Sequence, residues 1–339
     1  MPLLKTVEEF KQYVAIDASQ LPPSFELELT EVEGTLILPL LGPALAQWLQ
    51  AAYDAAGFDP LADVPAAGLL RAVQAPLARL AAATGITVHQ ASLDATGVHI
   101  VSTDVVKTAF QWQSRELQAL HQRRGLAGLD ALVQWLEDHR EDSPELKAWA
   151  SSPAGQRHRQ ELFTSTADFQ EYENISASRL VFQALRPVRR RLEACELYTV
   201  LGGPFLEELH EQVRTRSLSS ENENLLRSRI YPALACLSIA HAVPALSLVL
   251  NGDGIDLAVA RRDDANSKEA DAGLDALLQA KGFEALQLGQ RYLRQLGDFL
   301  DGAASASRFT TYFNSAAYTS PTSPAAVLNA PDTRLYKFA

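Results

Sequence analysis

The side chains that could carry chemistry in this chain are few and scattered. Seven histidines (His89, His99, His121, His139, His158, His210 and His241) form no HExxH pattern, and none is spaced with a cysteine as a metal site requires. Glu8 with Glu9, and Glu137 with Asp138, are the carboxylate pairs that acid–base catalysis would call on. Adjacent residues on a helix do not face each other, so these pairs read as solvated charges. Asn251-Gly252-Asp253-Gly254-Ile255-Asp256 resembles the start of a calcium loop, but it lacks the bidentate glutamate and reads better as a hairpin turn. Phosphate-binding glycine loops, dinucleotide fingerprints and nucleophile elbows are all missing. The remaining chemistry is electrostatic. Arg186, Arg189, Arg190 and Arg191 lie on adjacent turns of an expected helix, where they would form one cationic patch, either a solvated face paired with local Glu or a contact for an acidic partner surface. The residues thus predict no catalytic group, no cofactor and no metal.

The elements that position these residues come in two copies. Thr6 to Ser19 (TVEEFKQYVAIDAS) is echoed by Ser165 to Ser178 (STADFQEYENISAS), aligning Phe10 with Phe169, Tyr13 with Tyr172 and Ile16 with Ile175. Thr6-x-x-Glu9 and Ser165-x-x-Asp168 both carry capping-box chemistry, a hydroxyl and a carboxylate that satisfy free amides at a helix start. Leu41-Gly42-Pro43 matches Gly202-Gly203-Pro204 in register, Leu69-Leu70-Arg71 with Pro76 matches Leu225-Leu226-Arg227 with Pro232, and Gly97-Val98-His99-Ile100 matches Gly254-Ile255-Asp256-Leu257. Collinear blocks of this kind mark an internal duplication.

Within the first copy, Phe25, Leu29, Val32 and Leu36 recur at helical spacing. Pro76 is expected to kink or split a helix over 67–83, with Gly85 ending it. Ile86-Thr87-Val88 is expected to pair as a strand with 98–101, and two helices, 107–123 and 126–139, to close the unit. The second copy repeats the plan through Phe182, Leu185, Val188 and Leu192, then inserts a charged loop at 261–273 before a helix over 283–300. The expected domains are 1–142 and 165–302, two homologous helical bundles each with a small β-hairpin. A polar linker at 143–164 joins them, and an extended arm rich in Ser, Thr, Ala and Pro follows at 303–339. The arm's aromatics, Phe309, Tyr312, Phe313, Tyr318, Tyr336 and Phe338, are expected to lie on a neighbouring subunit.

Composition narrows the partners. The formal net charge is −11; residues 1–150 hold 10 Lys and Arg against 19 Asp and Glu, and residues 151–339 hold 20 against 22. Such a chain is poorly suited to wrapping nucleic acid, although it suits a passage through which DNA slides. Cys195 and Cys236 are too few for a disulfide framework, and both read as small buried hydrophobes. No signal peptide is read at the N-terminus, and the apolar run at 36–41 is too short to cross a bilayer. The expected setting is a bacterial cytoplasm, with no membrane involved.

The opening LLKTVEEFKQYVAIDAS, followed by an amphipathic helix and ILPLLGPAL, resembles the helical head–tail connector proteins of tailed phages. Together with GVHIVSTDVVKTAFQWQ (97–113), SRLVFQALRP (178–187) and NGDGI (251–255), the chain resembles an uncharacterised duplicated family of Bacteroidota and their phages. The resemblance covers about residues 3–300 and carries over no active-site residue. It implies a structural protein of the virion neck, a homo-oligomeric ring docked between portal and adjacent tail protein. A ring or cap in a tail or contractile injection apparatus is the structural alternative. An assembly chaperone, or an enzyme without a recognisable motif, stands apart from both. The duplication and the aromatic tail depart from simple connectors and leave ring stoichiometry open.

Overall fold

The computed structural model describes residues 2–16, 23–89, 91–94, 97–100, 110–246, 248–251, 254–257 and 272–320. The protein is mainly helical and divides into two compact units, Met1–Ala184 and Leu185–Ala339. The turn expected at Asp17–Ser19, the charged loop through Asp271, and the tail aromatics Tyr336 and Phe338 lie outside the described residues.

Unit 1 opens with α1 (Val7–Lys11), started by the complete Thr6/Glu9 capping box. Then follow α2 (Pro23–Val32), a π-helical turn (Glu33–Ile37) and α3 (Leu38–Asp54). The π turn corrects the expected apolar stripe. It inserts one residue, so the core face runs Leu29, Val32, Ile37, Leu41, with Ile37 fully buried and Leu36 37% exposed. Gly42 (φ 71°, ψ 163°) breaks α3 near its start in a conformation open only to glycine, and a Cβ there would also come within 2.9 Å of the Ala154 Cβ. By length and mean hydropathy (1.3) the stretch Phe25–Asp54 could cross a membrane. The Gly42 break leaves neither half long enough for that, and one face of each half is buried in the unit's own core.

α4 (Pro65–His89) is neither split at Pro76 nor ended at Gly85. It continues through Ile86, Thr87 and Val88, which are therefore helical; the strand pair is instead β1 (Ala91–Asp94) with β2 (Gly97–Ile100), antiparallel. The two expected closing helices are one, α5 (Gln111–Asp138). Small residues explain its continuity. A Cβ on Gly125 would lie 2.5 Å from Leu80 Cγ, one on Gly128 3.1 Å from Pro76 Cβ, and one on Gly68 2.9 Å from Trp135. These contacts run in opposite order along the two helices, so α4 and α5 pack antiparallel, with their backbones held close by glycine. Leu69, Val73 and Leu77 meet Leu129, Leu132 and Leu136 in one core.

Residues 143–164, expected as a polar linker, are part of this unit. α6 (Pro144–Ser151) is capped by Ser143, and α7 (Pro153–Gln156) by Ser152. Leu146 and Trp149 are buried, and the Trp149 indole N–H donates to the Leu40 carbonyl at 2.8 Å. The apolar positions are sparse enough to resemble a connector, but the large ones, Leu146, Trp149, Leu162 and Phe163, are all buried. The echo helix α8 (Thr166–Gln170) and α9 (Arg179–Ala184) also belong to unit 1, where Phe169 meets Phe163 at a tilt and Phe182 edge to face, and Arg179 pairs with Asp130.

Unit 2 repeats the frame. α10 (Arg186–Leu192), a π turn (Glu193–Leu197) and α11 (Tyr198–Leu201) lead to Gly202 (φ 73°, ψ 150°) and α12 (Gly203–Thr215). α13 (Ser220–Leu225), a second π turn (Leu226–Ile230) and α14 (Tyr231–Leu246) stand where unit 1 has α4. That second π turn absorbs an extra residue. Leu69 and Leu70 match Leu225 and Leu226, whereas Val73, Leu77 and Leu80 match Ile230, Leu234 and Leu237, one position further on. Pro76 and Pro232, aligned by sequence, thus fall one position apart. β3 (Leu248–Asn251) pairs antiparallel with β4 (Gly254–Leu257), and α15 (Ala272–Ala303) takes the place of α5. Gly289 lies against Leu237 as Gly125 lies against Leu80.

Candidate interaction surface

Each unit carries the same device, a segment returning over the end of its long helix and tied there by a carboxylate. In unit 1 the carboxylate is Glu137, in the last turn of α5 and only 7% exposed. It accepts from Arg159 at both oxygens (Nε 3.1 Å, Nη2 2.8 Å) and contacts His158 Nε2 at 2.8 Å. Gly289 and Asp301 stand to each other as Gly125 and Glu137 do, so Asp301 is the counterpart. In unit 2 Asp301 accepts from the Tyr312 hydroxyl at 2.7 Å and from the Thr319 N–H at 2.9 Å. Burial, then the Asp301 carboxylate, push the Tyr312 phenol well above its ordinary range.

For residues 303–320 this device replaces the expected arm on a neighbour with a segment packed on its own unit. Phe309 and Tyr312 are 7% and 1% exposed and meet Phe205 edge to face, and Tyr318 packs on Tyr312 and Phe313. A Cβ on Gly202 would lie 3.1 Å from the Ala317 Cβ, as one on Gly42 meets Ala154. Residues 304–320 are thus the counterpart of 144–159. The sequence offered one signal for this, the repeated Gly-Pro of Gly42-Pro43 and Gly203-Pro204, although in unit 2 the break falls at Gly202, one position earlier. α16 (Thr310–Phe313) begins at Phe309 in the left-handed region (φ 49°), a strained backbone held by its aromatic neighbours.

The four arginines do not form one patch. Arg189 is 1% exposed and sits in the core of unit 2, one turn before buried Glu193. Arg190 and Arg191 are exposed and Arg186 is half-buried, all on the outside of α10. Helical spacing alone does not distinguish an arginine facing the core. Cys195, expected to be buried, is exposed because the π turn sends Leu197 inward and turns Cys195 out; Cys236 is buried.

The polar hub of unit 1 centres on Glu9. Its carboxylate caps α1 and accepts from the Tyr53 hydroxyl and from Gln74, which also donates to the Leu3 carbonyl. Burial raises the Glu9 pKa, but hydrogen bonds from Tyr53, Lys5 and Thr6 outweigh it, and the net shift is downward. Burial also pushes the Tyr53 phenol far above its usual value, helped by Glu9. Lys5 lies over the Tyr53 ring and pairs with Asp54. Every member of this hub fastens the N-terminal segment to the core, and the matching positions of unit 2 carry Val213 and Tyr231 instead. Among the described residues, no group of three His, Cys, Asp or Glu is placed to hold a metal ion.

What remains on the surface is apolar and charged in patches. Around the N-terminal half of α5, Phe110 (70% exposed), Trp112 (60%) and Leu117 (46%) face solvent; α15 presents Phe283 (62%). α2 presents Leu27 (72%) between Glu26 and Glu31.

These features define a class: a tandem duplication of one helical unit, each copy built on a long glycine-mediated helix pair and closed by a returning segment. The chain belongs to a family of unknown function (DUF6712), whose model matches residues 37–159 and again residues 197–322. Both matches begin at the last residue of a π turn, Ile37 or Leu197, and both take in the returning segment. No curated protein and no solved structure matches the chain.

Proposed function

We propose that the protein is a structural assembly component, a head–tail connector of a tailed-phage particle, working by binding and geometry rather than catalysis. It forms a homo-oligomeric ring at the neck, with the portal on one side and the next tail protein on the other, and DNA passes through its channel. The observation that carries this reading is what the two copies share. Equivalent positions hold packing and closure: Gly42 and Gly202, Gly125 and Gly289, Glu137 and Asp301. The polar hub at Glu9 has no counterpart. A duplicated scaffold keeps its frame and lets its surfaces diverge, whereas a duplicated active site would keep the same reactive side chains in both copies. The exposed Phe110, Trp112 and Leu117 supply apolar area for a partner, and the acidic balance suits a passage that must not retain DNA.

The test is the copy number of this chain in purified particles, by quantitative mass spectrometry against the major shell protein. One ring's worth per particle is expected. Hundreds of copies would make it a repeating shell or tube component, and absence from the particle would remove the structural reading.

A further inference from the structure

The two units share a frame but carry opposite charges at the same place. With the π turns and Gly42/Gly202 superposed in register, α2 of unit 1 corresponds to α10 of unit 2. On the solvent side of these helices, Glu26 stands where unit 2 has Arg186, Thr30 where it has Arg190, and Glu31 where it has Arg191. Between the charges, Leu27 matches Pro187, both exposed. Further along, Leu38 (38% exposed) matches Tyr198 (56% exposed). The wider charge follows the same sense. Unit 1 holds 13 Lys and Arg against 23 Asp and Glu, and unit 2 holds 17 against 18.

Resting on the homo-oligomer proposed above, we infer that the outer face of α2 in one copy docks on the outer face of α10 in a second copy of this chain. Charge selects the pairing. An α2–α2 or α10–α10 contact would set like charges together, whereas α2–α10 sets Glu26 and Glu31 against Arg186, Arg190 and Arg191. Leu27, Leu38 and Tyr198 supply the apolar area that a purely charged contact would lack, and Arg and Tyr are the residue types that interfaces favour. A contact between two different faces propagates from copy to copy as a closed ring or a filament, unless two copies make it reciprocally across a two-fold axis. Each chain carries one face of each kind.

The experiment uses the full chain with two charge reversals, Glu26→Arg/Glu31→Arg on α2 and Arg190→Glu/Arg191→Glu on α10. Masses are read by multi-angle light scattering after size exclusion, with thermal melting checking that each variant folds. The wild type is expected above monomer mass. Each reversal alone is expected to weaken assembly by about tenfold or more in Kd, as loss of several close charge pairs does. An equimolar mixture of the two variants is expected to recover assembly, because each then offers the face the other lacks. Reversals that leave the wild-type mass unchanged would overturn this interface and leave the homo-oligomer standing. So would reversals that dissociate without recovery on mixing. A wild type that stays monomeric would overturn both the oligomer and the interface. A stable dimer split by each reversal would keep the interface, made reciprocally, and remove the ring.

Discussion

Unit 1 and unit 2 close the same frame with different chemistry. In unit 1 the returning segment is held by a buried tryptophan and by a carboxylate, Glu137, ion-paired with Arg159 and in contact with the His158 ring. In unit 2 it is held by an aromatic cluster, Phe205, Phe299, Phe309 and Tyr312, and by Asp301 accepting neutral hydrogen bonds. What persists is steric: a glycine where two helices cross, a glycine where a helix breaks, and a carboxylate at the end of the long helix. What varies is how charge and aromatic area share the closure. Close-packed positions admit few substitutes, whereas a joint can be tied by any set of partners that satisfies its polar atoms.

The largest effects should come from the closures. Trp149→Ala removes a buried indole in unit 1 and Tyr312→Ala a buried phenol in unit 2; each should cost about 4 kcal/mol. Urea unfolding with separate probes for the two units reads this, and each change should act on its own unit. If Tyr312→Ala left unit 2 unaffected, residues 304–320 would not be the counterpart of 144–159. The helix crossings come next. Gly125→Val and Gly289→Val push a branched side chain into Leu80 and Leu237 respectively, and each should cost about 3 kcal/mol. Equal losses would show that the crossings are equivalent; a loss in one alone would limit the shared frame to the breaks at Gly42 and Gly202.

A smaller and deliberately unequal pair sharpens the contrast between the clasps. Glu137→Gln leaves the buried Arg159 without its carboxylate and should cost about 3 kcal/mol. Asp301→Asn keeps an acceptor for neutral donors and should cost about 1 kcal/mol. Raising the salt concentration should narrow the gap little, because Glu137 and Arg159 are both largely buried. Equal costs would mean that the two clasps work by the same chemistry after all.

The duplication was legible because repeated turn residues leave fixed marks: Gly42-Pro43 and Gly203-Pro204, the capping boxes, and the strand after Gly97 and Gly254. The register within the helices was less so. A π turn changes the face of every later residue without leaving a compositional mark, so helical spacing points to Leu36 where the core takes Ile37, and an apolar context points to a buried Cys195 that is in fact exposed. Pro76 and Gly85 looked like breakers by local propensity, yet α4 runs through both, because α5 packs along its whole length and tertiary burial outweighs single-residue preference. The tail failed for a third reason. Ser, Thr and Ala around scattered aromatics look disordered alone, and only the fold shows Phe205 waiting for Phe309 and Tyr312. Arg189 gave no sign of its burial, since spacing made it one more member of a cationic run.

The smallest effect is one of pH and falls on unit 1. The Nδ1 of His121 on α5 is buried without a hydrogen-bond partner, and burial, then Arg124 and Arg79, depress the pKa of the ring below its ordinary value. The folded state therefore prefers the neutral ring more strongly than the unfolded chain does. A depressed folded pKa gives stability that is fully present above the unfolded value, near 6.5, and is lost as pH falls through the folded value. His121→Leu should abolish that loss: its melting temperature should fall less than the wild type's between pH 7 and pH 5. Glu9 acts in a lower window by the same sign. Its net pKa lies below 4.5, so the stability it lends is complete above that value and disappears as pH falls through the folded pKa. Glu9→Gln should thus lower unit 1 stability at neutral pH and flatten its decline below about pH 4.5, a range in which His121→Leu and wild type should run parallel. If both variants tracked the wild type across the whole range, neither His121 nor Glu9 would set the acid sensitivity of unit 1, and the N-terminal hub would not be what acid opens.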